Sequence, residues 1–359
     1  TSDMNGETGE TMSVFAGAAF WDKAASESRT QGLFRLDESD AWQAVTNGLP
    51  EAVEVRCIAM RGTDTIYVGT QVGPYRSTDG GESWELMELP ASPGDDTVTW
   101  SILPLDDGGL LVGTQGTLIY RSDDDGASWR LLDVPTPNGA VRMGFPMRVI
   151  RLVADPSNQK EIYAGLEVGG VVRSLDGGET WTDISAGLMN YAGETFFKSR
   201  IGTDQDQEGM MDLHSLAISP AAPGTVFLAN RMGLFKSTDK GESWDWMNIG
   251  RFSPLSYARD IIVSPHDPNT LYAALSIAAL SSRGSLYRST DLGETWHRFD
   301  SGVTIESTLM NIGPSGSNPD SVYCGARQGQ IFGTDDGGET WRTLPLPPGV
   351  AGVYAVACN

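Results

Sequence analysis

Six times along the chain a short apolar-polar alternation recurs: TIYVGT at 65–70, LLVGT at 110–114, EIYAGL at 161–166, TVFLAN at 225–230, TLYAAL at 270–275 and SVYCGA at 321–326. Period-two alternation places successive side chains on opposite faces, the signature of a half-buried strand. Each is followed by a second short apolar or aromatic segment, such as PYR, LIYR, GLFK or SLYR, and then by a polar turn that ends in Trp. Beyond the Trp lies a further strand, as in WELMEL and WRLLDV. The repeating unit thus reads strand, turn, strand, strand, polar turn, strand.

The polar turn is itself a repeat, S/T-x-D-x-G-x-S/T-W, with its Asp at 79, 124, 176, 239, 291 and 336 and gaps of 45, 52, 63, 52 and 45 residues. That spacing is the length of a four-stranded propeller blade. A catalytic or metal-binding Asp is seldom needed six times, whereas a fold element is. The Asp can accept backbone N–H groups of its turn, the Gly can take positive φ, and the Trp can bury its ring between sheets. A seventh, degenerate unit opens the chain, where SVFAGA at 13–18 aligns with TIYVGT, and GLFRLDESDAW at 32–42 aligns with GPYRSTDGGESW. It lacks an innermost strand, while GVYAVACN at 352–359 is an innermost strand without a blade. Pairing the two ends removes both open edges. The expectation is an all-β chain, a single seven-bladed β-propeller over 12–359 closed by the C-terminal strand, with 1–11 as a flexible extension.

Composition narrows the partners. With 25 Lys plus Arg against 47 Asp plus Glu among 359 residues, the net charge of −22 speaks against nucleic acid or an anionic membrane as the main partner. No apolar run reaches the ~18 residues of a spanning helix, and the first residues, TSDMNGETGETMSVFAG, do not resemble a secretory leader, so a cytoplasmic location is expected unless a leader has been removed. Cys57, Cys324 and Cys358 sit in strand-like runs and read as buried free thiols.

The six boxes resemble the bacterial neuraminidase repeat, or Asp-box, of sialidases, sortilin-type receptors, xyloglucan-hydrolysing enzymes and the photosystem II stability and assembly factors. That resemblance implies the propeller and leaves function open, because these families do unrelated things on one scaffold. The Phe/Tyr-Arg-Ile-Pro signature of sialidases is absent, the nearest string being FRLD at 34–37. VSPHDPNTLYAAL at 263–275 is similar to phrases of xyloglucan-hydrolysing enzymes, which hold substrate between two propellers.

Ligands of propellers meet the mouth formed by the loops that enter the innermost strands and leave the second strands. Four positions beyond the aromatic of each second strand (Leu111 standing in for it once) stand Gln71, Gln115, Glu167, Arg231, Ser276 and Arg327. On the innermost strands, His214 and Arg259 each precede a proline, Pro220 and Pro265, by six residues, while Arg148, Asp212 and Tyr257 precede Pro156, Pro220 and Pro265 by eight. Arg148, Arg231, Arg259 and Arg327, with Gln71 and Gln115, are therefore the candidate substrate-binding groups, suited to a carboxylate, sulfate or phosphate. The alternative is that the arginines pair with Glu167, Asp212 and Asp260 to tie blades together. His214 and Tyr257 are the candidate proton-transfer groups, with Glu167 as carboxylate partner. The bland reading of His214 is a histidine satisfied by backbone within an inner strand.

The longest connection, residues 187–212, has an apolar half containing ETFFKSRI and an acidic half with Asp204, Asp206 and Glu208. It could be a solvated loop, a lid over the mouth, a grip for a protein partner or, least of all, a Ca²⁺ site. Trp21, Lys23 and Tyr354 are further rim candidates, while His266 and His297 read as surface or packing residues. No cofactor or metal is expected. The reading favoured is an enzyme of hydrolase or lyase type acting on a small anionic molecule or carbohydrate, with a non-catalytic interaction platform as the rival.

Overall fold

A computed structural model describes residues 12–20, 30–91, 97–350 and 352–359. The expected extension at 1–11 and the rim candidates Trp21 and Lys23 lie outside them. Seven four-stranded antiparallel sheets form a closed ring. Blade 1 takes its innermost strand from the C-terminus: Val353–Cys358 pairs with Val14–Ala18, Val14 opposite Cys358 and Phe15 opposite Ala357, followed by Gly32–Leu36 and Trp42–Val45. Blades 2 to 7 begin with the inner strands Val55–Arg61, Thr99–Pro104, Arg148–Asp155, Leu213–Ile218, Tyr257–Val263 and Leu309–Pro314. Each inner strand packs against those of the two neighbouring blades, so the ring is continuous. No helix among the described residues is long and apolar enough to cross a membrane.

Between neighbouring blades lies an apolar layer, such as Phe15, Leu33, Val55, Ile66 and Trp84 between blades 1 and 2. The repeated box forms the turn that feeds this layer. In blade 2, Asp79 accepts the Ser83 N–H at 2.9 Å and the Glu82 N–H at 3.0 Å, and the Ser77 hydroxyl donates to it while accepting the Gly81 N–H at 2.9 Å. The Ser83 hydroxyl, which donates to Asp79 at 2.6 Å, and then these other donors stabilise the ionised form and hold Asp79 down at about 2. Gly81 has φ +94°, and a Cβ there would lie 2.7 Å from the Phe15 ring of blade 1, so the residue is fixed by turn and packing together. In the degenerate unit, Asp37 performs the same task, accepting the N–H groups of Ser39 and Ala41.

All seven inner strands share one irregularity. The pairing skips a residue between Val55 and Cys57, Thr99 and Ser101, Val149 and Arg151, Leu213 and Ser215, Ala258 and Asp260, and Leu309 and Asn311. In blade 1, Ala355 faces Gly17 and Val353 faces Ala18, leaving Tyr354 as the extra residue. Such a bulge re-aims the unpaired side chain. The re-aimed residues are Arg56, Trp100, Ile150, His214, Arg259, Met310 and Tyr354, one from each blade.

Candidate functional site: a ring of bulge residues

All seven bulge residues line one axial cavity of about 320 Å³. Tyr354 and Trp100 meet edge to face with ring centroids 5.8 Å apart, and Met310 packs in the same apolar cluster with Ile150 against it. Arg56 lies over the Trp100 ring at 4.9 Å and Arg148 at 4.3 Å, so two guanidinium groups crowd one indole. Glu54 forms an ion pair with Arg56. Burial, with a smaller contribution from Arg148, pulls the Arg56 guanidinium below its ordinary value against the opposing pull of Glu54.

Several nitrogens of this ring are buried without a hydrogen-bond partner: Nε and Nη1 of Arg56, Nε1 of Trp100, Nη1 of Arg259 and, beside the ring, Nε of Arg148. All are donors. Arg259 is 6% exposed and forms no ion pair among the described residues. Burial opposes its charge, but Tyr257, Glu167, Tyr354 and Asp212 outweigh that and raise its value.

His214 is 4% exposed. Its Nδ1 stands 2.7 Å from the Ala258 carbonyl oxygen, which can only accept, so Nδ1 carries a proton. Nε2 is then the atom free to accept one. It lies 3.3 Å from the Tyr257 hydroxyl and 3.5 Å from Asp212 Oδ2. Burial pushes the Tyr257 phenol up to about 12. Despite its burial, Asp212 is pulled down to about 2 by the imidazolium form of His214, in which Nε2 carries a proton, and then by Arg231. Arg231 binds Asp212 at 2.8 Å and Glu208 at 2.6 Å.

The sequence candidates therefore separate. His214 and Arg259 line the cavity, and Tyr257 reaches it through His214. Arg148 is paired with Glu167 at 2.6 Å and Arg231 with Asp212 and Glu208, the carboxylate pairing of the alternative, but each pair lies within one blade or its entry loop and ties no blades together. Asp260 is tied instead by Arg151, at 2.5 Å. Arg327 donates to the Ala279 carbonyl at 2.8 Å, and Gln71 spans Ala52 O and Glu54 N. Gln115 forms a backbone bridge with Arg148. None of Gln71, Gln115, Arg148, Glu167, Arg231 or Arg327 is among the cavity's lining residues. Arg56 and Trp100 escaped the sequence reading. In their blades the position six residues on is Gly62 or Asp106, in the turn after the strand, rather than a proline, so the proline register that marked His214 and Arg259 did not reach them.

The 187–212 connection is built from Ala186–Met189, Thr195–Phe197 and Glu208–Met211. Phe197 is buried against blade 5, whereas Phe196 is exposed. The Glu208 carboxylate, fully buried, accepts the N–H groups of Ile201, Gly202 and Thr203, the Thr203 hydroxyl and Arg231. Asp206 pairs with Lys198 and Arg200. Two of the three acidic side chains are thus engaged in holding the loop. Among the described residues no three His, Cys, Asp or Glu side chains are grouped as metal ligands.

Fold and ring define a seven-bladed β-propeller with a donor-lined axial cavity. The chain belongs to the DUF6242 beta propeller domain family, whose profile matches residues 3–195. It is 24% identical to a Paenibacillus xyloglucanase over 234 residues, 55% of this chain and 21% of the relative. It is 23% identical to a Hypocrea jecorina xyloglucanase over 352 residues, 90% of this chain and 37% of that one. The chain thus spans well under half the length of these relatives. Among solved structures it resembles the Niastella koreensis GH74 enzyme (TM-score 0.62, 18% identity, 83% of this chain and 46% of that one). It also resembles YCF48 from Cyanidioschyzon merolae (TM-score 0.59, 15% identity, 87% and 90%). A further likeness is to YCF48 bound to D1 peptide (TM-score 0.54, 15% identity, 82% of each chain). At these identities the structural likenesses establish the fold alone.

Proposed function

We propose that the protein is a propeller of hydrolase type whose bulge ring seats a small carboxylate-bearing substrate. The observation that carries this reading is the set of buried donors in the ring that have no acceptor. Buried N–H groups of Arg56, Trp100 and Arg259 have no acceptor, and a buried unsatisfied donor costs about 1–3 kcal/mol, more when charged. A carboxylate offers two acceptor oxygens and the charge that Arg259 lacks. The xyloglucanase relatives support hydrolysis as the reaction class and keep carbohydrate among the substrates to be tried.

In this reading Arg259 holds the carboxylate while Arg56 and Trp100 donate to it or to a neighbouring oxygen. His214 Nε2 accepts the proton of the water that attacks the carbon of the scissile C–O bond, Asp212 stabilises the resulting imidazolium, and that proton is returned to the departing oxygen as the C–O bond breaks, with Tyr257 orienting the ring. Elimination beside the carboxylate would use the same groups. Arg148, Glu167 and Arg231 position these residues without touching substrate. A second reading, a protein partner gripped by the 187–212 loop, draws on Phe196 and Ile201, which are 60% and 72% exposed.

Titration calorimetry with phenylacetate, hexanoate and glucuronate tests the first reading. At least one carboxylate is expected to bind, with a loss of tenfold or more, about 1.4 kcal/mol, in Arg259→Ala. Equal affinity in the variant, or no binding to the parent, refutes it.

A further inference from the structure

Away from the bulge ring the cavity wall changes character. Ile58 and Met60 of blade 2, Ile262 and Val263 of blade 6, Ile312 of blade 7 and Val356 of blade 1 line it. The polar side chains at this level are mostly engaged, the buried Nε of Arg151 being the one donor there without a partner among the described residues. Arg151 is neutralised by Asp260 at 2.5 Å, and the Asn311 amide donates to Asp260 while its oxygen accepts the Val356 N–H at 2.6 Å. The apolar wall continues outward. A groove of about 490 Å³, walled by Leu152, Val153, Ile218 and Pro220, shares Arg151, Ile262, Val263 and Pro265 with the cavity.

The charges near the ring set the other end of the ligand. Arg56 has Glu54, Arg148 has Glu167, and Arg231 has both Asp212 and Glu208. Arg259 is left as a buried guanidinium without an ion pair among the described residues, which matches one negative charge rather than two or three. A sugar acid would bring a hydroxyl on nearly every carbon into a shaft that offers those hydroxyls few partners, and burying a hydroxyl unpaired is unfavourable. An alkyl or aryl body instead gains from every methylene it buries.

Resting on the reading of the ring as a carboxylate site, we infer that the substrate is a monocarboxylate with an apolar body. Its carboxylate sits on Arg259, beside Arg56 and Trp100, and its alkyl or aryl part runs along the Ile58–Ile262–Ile312 wall toward the groove. The separation of a cap with orphaned donors from a largely apolar shaft selects against polyhydroxylated acids and against neutral sugars.

The test is calorimetric titration of the full chain with acetate, butyrate, hexanoate and octanoate below their micellar range, and with glucuronate. Affinity is expected to rise about fourfold per added methylene, with hexanoate well ahead of glucuronate. In Ile262→Ala, checked for folding by its thermal transition, the rise per methylene should flatten while acetate binding is kept. In Arg259→Ala the whole series should weaken by tenfold or more. Glucuronate binding more tightly than hexanoate, with no chain-length trend, would overturn the apolar-body inference yet leave the carboxylate site standing. No binding by any carboxylate would overturn both.

Discussion

Replacing Arg231 with Met removes the cation shared by two buried carboxylates while keeping most of the side-chain volume. Asp212 and Glu208 are 7% and 0% exposed, and each is held at about 2 against ordinary values of 3.8 and 4.5. Breaking a buried ion pair by removing one partner costs about 3–5 kcal/mol. The low end, about 3 kcal/mol, applies here, because Glu208 keeps its backbone donors and Asp212 keeps His214. For 359 residues at about 2.1 cal/mol/K of unfolding entropy each, this corresponds to a fall of about 4 °C in Tm. Depressed carboxylates contribute stability that is present above their ordinary values and lost as pH falls through the folded ones. The deficit of Arg231→Met should therefore be full at pH 7 and pH 5, then shrink as pH drops from about 4.5 toward 2, where the parent's carboxylates protonate as well. Thermal unfolding followed by circular dichroism at pH 7, 5 and 3 reads this directly. A Tm unchanged at pH 7, or a deficit that stays constant to pH 3, refutes the assignment of Arg231 as their common counter-ion.

Two other substitutions probe the frame. Asp260 accepts from Arg151, from Ser215 at 2.7 Å, from Asn311 and from the Ile312 N–H at 3.0 Å, which links blades 4, 5 and 7 to blade 6. Asp260→Ala should cost about 3 kcal/mol, measured by denaturant unfolding, and a change below about 1 kcal/mol would mean these ties are dispensable. Gly241 has φ +89°, and a Cβ there would lie 2.3 Å from Ile184, so Gly241→Ala should destabilise by about 2 kcal/mol or more in the same assay. Gly62→Ala, where a Cβ meets nothing within 4 Å, is the control and should show only the smaller cost of its φ of +67°.

The blade count and the closure were legible because each box marks one turn and the two ends carry complementary halves of one sheet. The position of His214 and Arg259 was legible for a narrower reason: Pro220 and Pro265 mark the end of their strands, which puts the two residues in one column. What makes that column face the axis is a backbone bulge, set by the ring's geometry and unmarked by any residue type, since Arg, Trp, Ile, His, Met and Tyr all occupy it. Arg56 and Trp100 were missed for that reason. The pairing of Arg231 with Glu208 was hidden as well, because it depends on how a loop without strand periodicity folds back onto blade 5. Spacing put four arginines near the mouth, but only the side-chain geometry separates Arg259 from the three whose guanidiniums are otherwise engaged.

The position of a bound carboxylate tests the central claim most directly. In a crystal structure of the protein with hexanoate, the carboxylate is expected within about 3 Å of Arg259 Nη1, with Arg56 or Trp100 as a second donor, inside the ring of the seven bulge residues. Hexanoate found only on the outer surface or at the 187–212 loop, with Arg259 unchanged, would contradict it.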